Sequence, residues 1–372
     1  MPPPLAHQGD QHRDPLLSMG SSARLPVPCP PANVGPAIQP KVTMKRPFGE
    51  LTFQGHLRRL RPMAEEAVRR WPLAEPRVRR LHYGENATYE VRDRNGGRRV
   101  LRIARPGYQS PEAIRSELWW VAQLREAGLD VPEPERGRDG EWVQTVSVPG
   151  VPEARKCVLL RWMSGRFLDA GLRPIHLERL GRVIARVHEV GLALDLPADF
   201  SRQPWDPRGL LGPGAHWGDT KDCVHLGEGD REWAARESAR VRALLESYGT
   251  GADRFGLIHA DLHYGNILFH QGRPRLIDFD DCGLGFFAHD LMTPISNNDQ
   301  PYARESLLSG YSQVRPLPPD FDRFLPILRQ AQRLRSIGWL GTRSDNPGLR
   351  RIAVDAIPKI LKAARQHAPS IG

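Results

Sequence analysis

The chain has 372 residues, of which 40% are hydrophobic, and a formal net charge of +10, so it is long enough for a two-lobed protein with a substantial core. No apolar run approaches the roughly 20 residues that a membrane helix needs, so nothing in the composition predicts a membrane protein. The positive charge comes almost entirely from arginines interspersed with acidic residues, as in Arg115-Ser116-Glu117, which favours a solvated mixed-charge surface over a nucleic-acid-binding face.

Residues 1–45 are rich in Pro, Gly, Ser and Ala without apolar periodicity, which predicts a disordered tail in which Met44 is an alternative start of translation. An N-terminal lobe is predicted over 46–162 and begins with a short helix over 62–70. Asn95-Gly96-Gly97 predicts a hairpin turn between the second and third strands of this lobe. These first three strands are expected where β-branched and apolar residues dominate, over 78–81, 87–91 and 99–103.

A long helix is predicted after the third strand. Ser110 suits the N-cap, Pro111 the first helical position and Gly128 the end of the helix. After a break at 131–134, two more strands are expected over 142–146 and 156–162. The N-terminal lobe should therefore be an antiparallel sheet with one long helix inserted after its third strand.

Residues 163–372 are predicted to form a mainly helical C-terminal lobe, so the expected fold class is α+β with two lobes. The segment 201–220 is expected to be a long loop. The segment 259–280 predicts a loop, a strand, a turn at Gln271-Gly272 and a second strand. Helices are expected over 174–190, 232–248, 300–312, 320–342 and 349–366.

The segment from His259 to Asn266, which reads HADLHYGN, carries the most chemical information in the chain. It places the carboxylate of Asp261 five positions before the amide of Asn266. Phosphoryl transfer needs these two groups, one to orient the attacking hydroxyl and one as an oxygen ligand of Mg²⁺. A polar turn is the alternative, but Asp278 favours the chemical interpretation. It ends an apolar strand, and a hairpin would return it beside Asn266 as a second metal ligand.

Arg102 and Glu117 form the third element of the predicted site. Arg102 lies in the third strand and Glu117 on the apolar stripe of the following helix, where an unpaired carboxylate is costly. An ion pair would resolve this cost and direct Arg102 at phosphate oxygens, although a solvated pair at the lobe edge is the alternative. The turn at Gly84-Glu85-Asn86 can cradle phosphate through its backbone N–H groups, and a plain hairpin explains it equally well. His188 is expected to be a satisfied core histidine.

Together these residues resemble the aminoglycoside phosphotransferase and choline kinase superfamily, which shares a two-lobed protein-kinase-like fold. The resemblance covers about 75–345, is most specific over 257–268 and 276–285, and points to members related to homoserine kinase and stress-response Ser/Thr kinases. By this resemblance Asp290 would tie the catalytic loop by hydrogen bonds, and the backbone of 159–163 would pair with adenine. Arg102 stands where the family usually has Lys, to which it is not equivalent. The implied roles are Asp261 as catalytic base, Asn266 and Asp278 as Mg²⁺ ligands, and Arg102, Glu117, Asn86, Arg161 and Met163 as nucleotide-binding residues.

The resemblance implies transfer of the γ-phosphate of Mg-ATP to a hydroxyl group of a small molecule of the aminoglycoside, amino alcohol, homoserine or sugar class. A protein Ser/Thr kinase of the same fold and a nucleotide-binding regulator with little turnover are the alternatives. The oligomeric state stays open. The identity of the acceptor also stays open. Asp299 and Glu305 would attract a cationic acceptor, whereas Arg333, Arg335 and Arg343 would attract an anionic one. Trp205, Trp217 and Trp339 would either line a pocket or pack in the core.

The four cysteines are far apart and form no C-x-x-C pair, so neither a disulfide framework nor a structural zinc site is expected. The first residues lack the charged and apolar regions of a secretory signal. A reducing compartment fits this pattern best, so we expect a cytoplasmic protein.

Overall fold

The computed structural model describes residues 46–168, 171–343 and 347–369, and the tail predicted over 1–45 lies outside the described residues. An antiparallel sheet occupies the N-terminal part, and helices dominate the rest. The expected α+β class and its two-lobed arrangement are therefore confirmed, whereas the boundary at residue 162 stays a prediction. No helix within the described ranges has the length and apolar character needed to span a membrane.

Helix α1 (Phe53–Ala67) shows that the prediction of a short helix over 62–70 was wrong at its start. Thr52 caps the helix by accepting a hydrogen bond from the backbone N–H of Gly55 at 3.2 Å. Pro62 lies inside the helix rather than at its beginning, where proline is more usual. Leu60 and Met63 pack in the core beneath the sheet, so tertiary burial outweighs the local preference.

The sheet has the strand order β1-β2-β3-β6-β4, with β5 paired to β6, and all of its pairs are antiparallel. The strand predictions are confirmed to within a few residues. Gly96 has a φ of +81° in the turn between β2 and β3, a conformation that glycine adopts without a steric penalty. The strands are β1 (Arg77–Tyr83), β2 (Ala87–Arg92), β3 (Arg98–Ile103), β4 (Pro134–Glu135), β5 (Gln144–Val146) and β6 (Arg155–Arg161).

Helix α2 (Pro111–Glu126) follows β3 as predicted. The Ser110 hydroxyl accepts from the backbone N–H of Ala113 at 3.1 Å, and Gly128 has the positive φ of +81° expected after a helix end. Its apolar stripe, Ile114, Leu118, Val121 and Leu124, is fully buried between the sheet and the helical core. The helix thus holds the two parts of the fold together and places Glu117 beneath β3.

The C-terminal part contains the predicted helices and a small set of elements that the sequence patterns missed. Helix α4 lies in the segment expected to be a loop, and α6, β7 and β10 were not anticipated. Helix α6 is buried from Phe287 to Ile295, its polar residues His289, Asp290 and Thr293 included, so it has no exposed polar face of the kind that marks a surface helix. The helices are α3 (Pro174–Leu192), α4 (Pro207–Leu211), α5 (Glu228–Tyr248), α6 (Phe287–Ser296), α7 (Ala303–Ser312), α8 (Phe321–Gly341) and α9 (Pro347–Gln366); β7 (Phe255–Ile258) pairs with β10 (Gly283–Phe286), and β8 (Ile267–His270) with β9 (Arg273–Leu276).

Candidate active site

A cavity of about 390 Å³ lies where the sheet meets the helices. Its walls come from the loop between β1 and β2, from β3, from the chain after β6, from the loops around β8 and β9, and from α8. Glu117 and Asn266 lie just behind the wall, each bonded to a residue that lines the cavity. The other predicted site residues line it directly: Asn86, Arg102, Arg161, Met163, Asp261 and Asp278.

Arg102 and Glu117 form the expected ion pair. Nη1 and Nη2 of Arg102 donate to the two carboxylate oxygens of Glu117 at 2.8 and 2.6 Å, and both side chains are buried. Burial alone would lower the pKa of Arg102, but the carboxylates of Glu117 and Asp280 raise it above its ordinary value. Arg102 is therefore a fixed positive charge at the cavity wall.

The catalytic-loop motif folds into a compact polar turn. Nδ2 of Asn266 donates to both the backbone carbonyl and the carboxylate of Asp261, each at 2.9 Å, so the side-chain oxygen of Asn266 remains available to a metal ion. His263 accepts from the backbone N–H of Gly265 through Nδ1 and places Nε2 3.4 Å from Asp261. Burial raises the pKa of Asp261, but His263, His259 and Arg335 together outweigh that effect and lower the pKa to about 2. Asp261 is thus an ionised acceptor facing the cavity.

Asp290, in α6, holds the catalytic loop in place as expected. Its two carboxylate oxygens accept from the backbone N–H groups of His259 and Ala260, both at 2.8 Å. Ala260 has a φ of +69°, a left-handed conformation that a non-glycine residue keeps only when its surroundings enforce it. His188 contacts Asp290 at 3.2 Å and the Tyr311 hydroxyl at 2.9 Å within the core, which confirms it as a satisfied core histidine.

The hairpin of β8 and β9 brings Asp278 back beside Asn266, as the sequence predicted. Ile267 pairs with Leu276, and the N–H of Ile277 donates to the backbone carbonyl of Asn266 at 3.0 Å. Asp278 then adopts a φ of +63°. Desolvation by the cavity wall and the neighbouring Asp280 carboxylate raise the pKa of Asp278, although its side chain is 53% exposed.

The donor set fits Mg²⁺. No group of three or more His, Cys, Asp or Glu side chains in the described ranges is arranged to enclose a metal ion by itself. Mg²⁺ does not need such a cage, because it usually takes one or two protein oxygens and completes its shell with phosphates and water. Asn266 and Asp278 supply that number, and a cation between the crowded carboxylates would relieve their mutual repulsion.

Met163, which follows β6 and lines the cavity, offers a backbone N–H to a nucleotide base. The N–H of Arg161 donates to the carbonyl of Glu133 at 2.8 Å, and that of Trp162 donates to the carbonyl of Arg98 at 3.1 Å. The N–H of Met163 has no such partner within the described ranges. The Arg161 side chain is 63% exposed and pairs with Glu133, so it lies at the rim of the cavity and not in its interior.

The loop between β1 and β2 is bonded across the cavity to the C-terminal part, which the sequence patterns missed. Nδ2 of Asn86 donates to Asp280 at 2.7 Å, and the Glu85 carboxylate accepts from Nε1 of Trp339 at 2.8 Å. The two pairs are 194 and 254 positions apart in sequence, so no local signal could have revealed them. Asp280 and Asp281, which follow Asp278 in the chain, bond to Asn86 and the Tyr108 hydroxyl respectively.

An antiparallel sheet above a helical lobe, with an Asp, an Asn and a second Asp converging on a buried basic residue, defines the kinase-like phosphotransferases. The model of the APH family, described as the phosphotransferase enzyme family, matches residues 78–326, and the chain belongs to this family. It is accordingly an enzyme of the kinase class, a phosphotransferase with an alcohol group as acceptor.

The relatives found by comparison include several kinases. Amicoumacin kinase of Bacillus subtilis (strain 168) is 26% identical over 234 residues, which cover 62% of this chain and 66% of that enzyme. Homoserine kinase of Polaromonas naphthalenivorans (strain CJ2) is 28% identical over 274 residues, covering 70% and 79%. The structure of a microcompartment-associated aminopropanol kinase superposes with a TM-score of 0.70 at 30% identity and covers 83% of this chain and 99% of that one.

Proposed function

We propose that this protein transfers the γ-phosphate of Mg-ATP to a hydroxyl group of a small molecule, with Asp261 as the catalytic base. The observation that carries the proposal is the convergence of Asp261, Asn266 and Asp278 on the cavity that Arg102 lines. These side chains supply the group that orients the acceptor, the metal ligands and the phosphate-binding cation that phosphoryl transfer requires.

Each residue acts through a specific atom. Met163 donates its free backbone N–H to the adenine edge, and Arg102 holds phosphate oxygens while Glu117 fixes its guanidinium. Asn266, through its side-chain oxygen, and Asp278 would hold Mg²⁺, which neutralises charge on the phosphate oxygens when bound. Asp261 accepts the proton of the acceptor hydroxyl, or orients that hydroxyl for attack.

A small acceptor is favoured over a protein by two observations. The relatives above act on small molecules, as the names amicoumacin kinase, homoserine kinase and aminopropanol kinase state. The bridge from Glu85 to Trp339 also closes one side of the cavity, whereas a protein Ser or Thr side chain needs an open approach. The regulator hypothesis is weakened because Asp261, Asn266 and Asp278 are all in place. We also propose that the protein is cytoplasmic, because ATP is available in that compartment.

The test is release of ADP from Mg-ATP in the presence of aminoglycosides, choline, homoserine, sugars and a generic protein substrate. The Asp261→Ala protein is the blank and should lose transfer by about 10²-fold or more while still binding ATP. Asp278→Ala should instead weaken the binding of Mg-ATP itself. Wild-type turnover in the Asp261→Ala protein would refute the assignment of the base. Binding of Mg-ATP without release for any acceptor would favour the regulator.

A further inference from the structure

One face of helix α8 forms the wall of the cavity on the side away from the sheet. Gln332, Arg335, Ser336 and Trp339 all line the cavity, and their spacing of three, four and seven positions places them on a single helical face. Asp261 and Arg335 line the same cavity, and their opposite charges act on each other. This wall therefore faces the position at which the acceptor hydroxyl must lie.

Arg335 has no polar partner within the described ranges, although its guanidinium is largely enclosed. No hydrogen bond or ion pair to a described residue satisfies it, and its Nε is buried without a partner. Its guanidinium carbon lies 4.7 Å from the ring centroid of Trp217 and 5.1 Å from that of Trp205. The two buried indoles hold the cation in one place by cation–π contact but supply no hydrogen-bond acceptor. An enclosed cation in this state is stabilised by an anion.

The neighbouring polar groups add donors rather than acceptors. Oε1 of Gln332 accepts from Nε2 of His289 at 3.2 Å, which leaves the amide nitrogen of Gln332 for the cavity. The carboxylates nearby already have donors of their own. Asp281 accepts from the Tyr108 hydroxyl, and Glu85 accepts from Trp339 and Arg105. Among the described charged residues at this end of the cavity, Arg335 is thus the one that lacks a partner.

The other side chains considered for the acceptor from the sequence do not contribute to this wall. Asp299 and Glu305 are exposed and do not line the cavity. Arg333 does not line it either, and Arg343 lies 3.4 Å from Glu85. The attraction of a cationic acceptor by Asp299 and Glu305 therefore has no support at the cavity, whereas Arg335 supports an anionic one.

We propose that the acceptor is a hydroxy acid, whose carboxylate is bound by Arg335 and Gln332 while its hydroxyl lies at Asp261. The inference rests on the proposed function and names its substrate class. A carboxylate matches the planar fork of a guanidinium. A single negative charge is also what one unpaired arginine neutralises, whereas a phosphate dianion would leave excess charge beside Asp261 and Asp281.

The experiment compares matched acceptors that share a primary hydroxyl and differ at the other end. The acids are 3-hydroxypropionate, 4-hydroxybutyrate, 5-hydroxypentanoate and L-homoserine, each tested beside its amide and beside the amino alcohol of the same length. Initial rates of ADP release from Mg-ATP give kcat/KM for each. The wild-type protein should prefer at least one acid over its amide by about tenfold or more, as expected for a charge-assisted hydrogen-bonded pair.

Two arginine variants in α8 locate the effect. Arg335→Gln should abolish the preference for the acid, mainly by raising the KM of the acid, and leave the affinity for AMP-PNP within about twofold. Arg333→Gln removes the same charge two positions earlier, outside the cavity, and should keep the preference. An equal loss of AMP-PNP affinity in Arg335→Gln would assign the residue to the nucleotide phosphates and overturn the proposal.

Failure of the inference can be told apart from failure of the proposed function. Better transfer to amino alcohols, or equal transfer to acids and amides, overturns the inference and leaves the kinase assignment standing. If no acceptor is phosphorylated, binding is tested instead, by the change in melting temperature of the AMP-PNP-bound protein when each acid or amide is added. Stabilisation by the acids but not by their amides, lost in Arg335→Gln, supports the carboxylate site without the proposed reaction. If none of the acids stabilises the protein, the inference is overturned.

Discussion

Glu117 accepts hydrogen bonds from both terminal nitrogens of Arg102, at 2.8 and 2.6 Å, and both side chains are buried. The two-pronged geometry depends on the planar guanidinium, since an ammonium group would leave at least one buried oxygen of Glu117 with a poorer donor. Arg102 is therefore not a neutral replacement for the lysine that the sequence resemblance leads one to expect. The carboxylate and the arginine are matched to each other.

Arg102→Lys should consequently impair this protein although it restores the more usual residue. We expect KM for ATP to rise by about tenfold and the free energy of unfolding to fall by about 1–3 kcal/mol, because a buried charged hydrogen bond is lost. Steady-state kinetics and urea denaturation measure the two effects. Arg115→Lys, on the exposed side of α2, is the matched control and should change neither quantity. Unchanged ATP kinetics in Arg102→Lys would show that the paired geometry does not matter for phosphate binding.

Asp290→Asn should test whether the catalytic loop is held by Asp290. The substitution removes one of the two acceptors for the N–H groups of His259 and Ala260 and places an amide donor against them. We expect the free energy of unfolding to fall by about 1–3 kcal/mol. We also expect a loss of turnover at unchanged ATP affinity, because Ala260 would relax from its left-handed conformation.

Tyr311→Phe is the control for Asp290→Asn. It removes the hydroxyl bonded to His188 without touching the loop itself. Tyr311→Phe should lower the free energy of unfolding and leave turnover unchanged. If Asp290→Asn also keeps full turnover, Asp290 contributes to stability alone, and the loop geometry does not depend on it.

The parts of the site that the sequence predicted are those with local signals. The hairpin that returns Asp278 to Asn266 spans few residues and has a turn at Gln271-Gly272, where both residues adopt positive φ. Helix α2 was predicted through its cap at Ser110, and Glu117 stood out because a carboxylate on an apolar stripe needs a partner. The family motif then assigned roles to these residues, roles that the experiments above still have to test.

Other features could not be predicted because tertiary packing alone determines them. Pro62 lies in the middle of α1, where burial of Leu60 and Met63 decides the helix length. Helix α6 is buried on all sides, its polar residues His289, Asp290 and Thr293 included, so no exposed polar face marks it as a helix. Arg335 was one of three candidate arginines, and only the packing of α8 against the cavity separates it from Arg333.

Glu90 should make the stability of the sheet depend on acid pH. Its carboxylate is 1% exposed and accepts from Arg79, Arg92 and Arg98. Burial alone would raise the pKa of Glu90, but the three arginines lower it to about 2 from an ordinary value of 4.5. Because the pKa is lower in the folded state, the stabilisation is complete above pH 4.5 and is lost as the pH falls towards 2.

Glu90→Gln should therefore lower the free energy of unfolding at pH 7 by about 1–3 kcal/mol. The difference from the wild type should shrink between pH 4.5 and pH 2. Urea denaturation at pH 7, 4 and 3 measures this convergence. Glu65→Gln, at an exposed pair on α1, should show no comparable pH dependence. A constant difference across the range would mean that Glu90 acts by packing and not by charge.

Trp339→Phe should loosen the loop between β1 and β2, since it removes the N–H that bonds to Glu85 at 2.8 Å and keeps an aromatic ring in the cavity wall. Net loss of one hydrogen bond predicts that the amides of 83–88 exchange with solvent about two- to tenfold faster. Hydrogen exchange read by mass spectrometry measures this directly. Trp233→Phe, on the surface of α5 beside Arg365, is the control and should leave the loop unchanged.

The same bridge should slow the passage of ligands, because it joins two parts of the cavity wall, the loop between β1 and β2 and helix α8. Trp339→Phe should therefore release AMP-PNP faster than the wild type, as stopped-flow displacement would show. Trp339 also lines the cavity, so a change in acceptor KM alone could come from lost contact with the acceptor. Faster exchange in the loop together with faster nucleotide release would separate the two causes, because the acceptor is absent from both measurements. Unchanged exchange would mean that Asn86 and Asp280 hold the loop without help from Trp339.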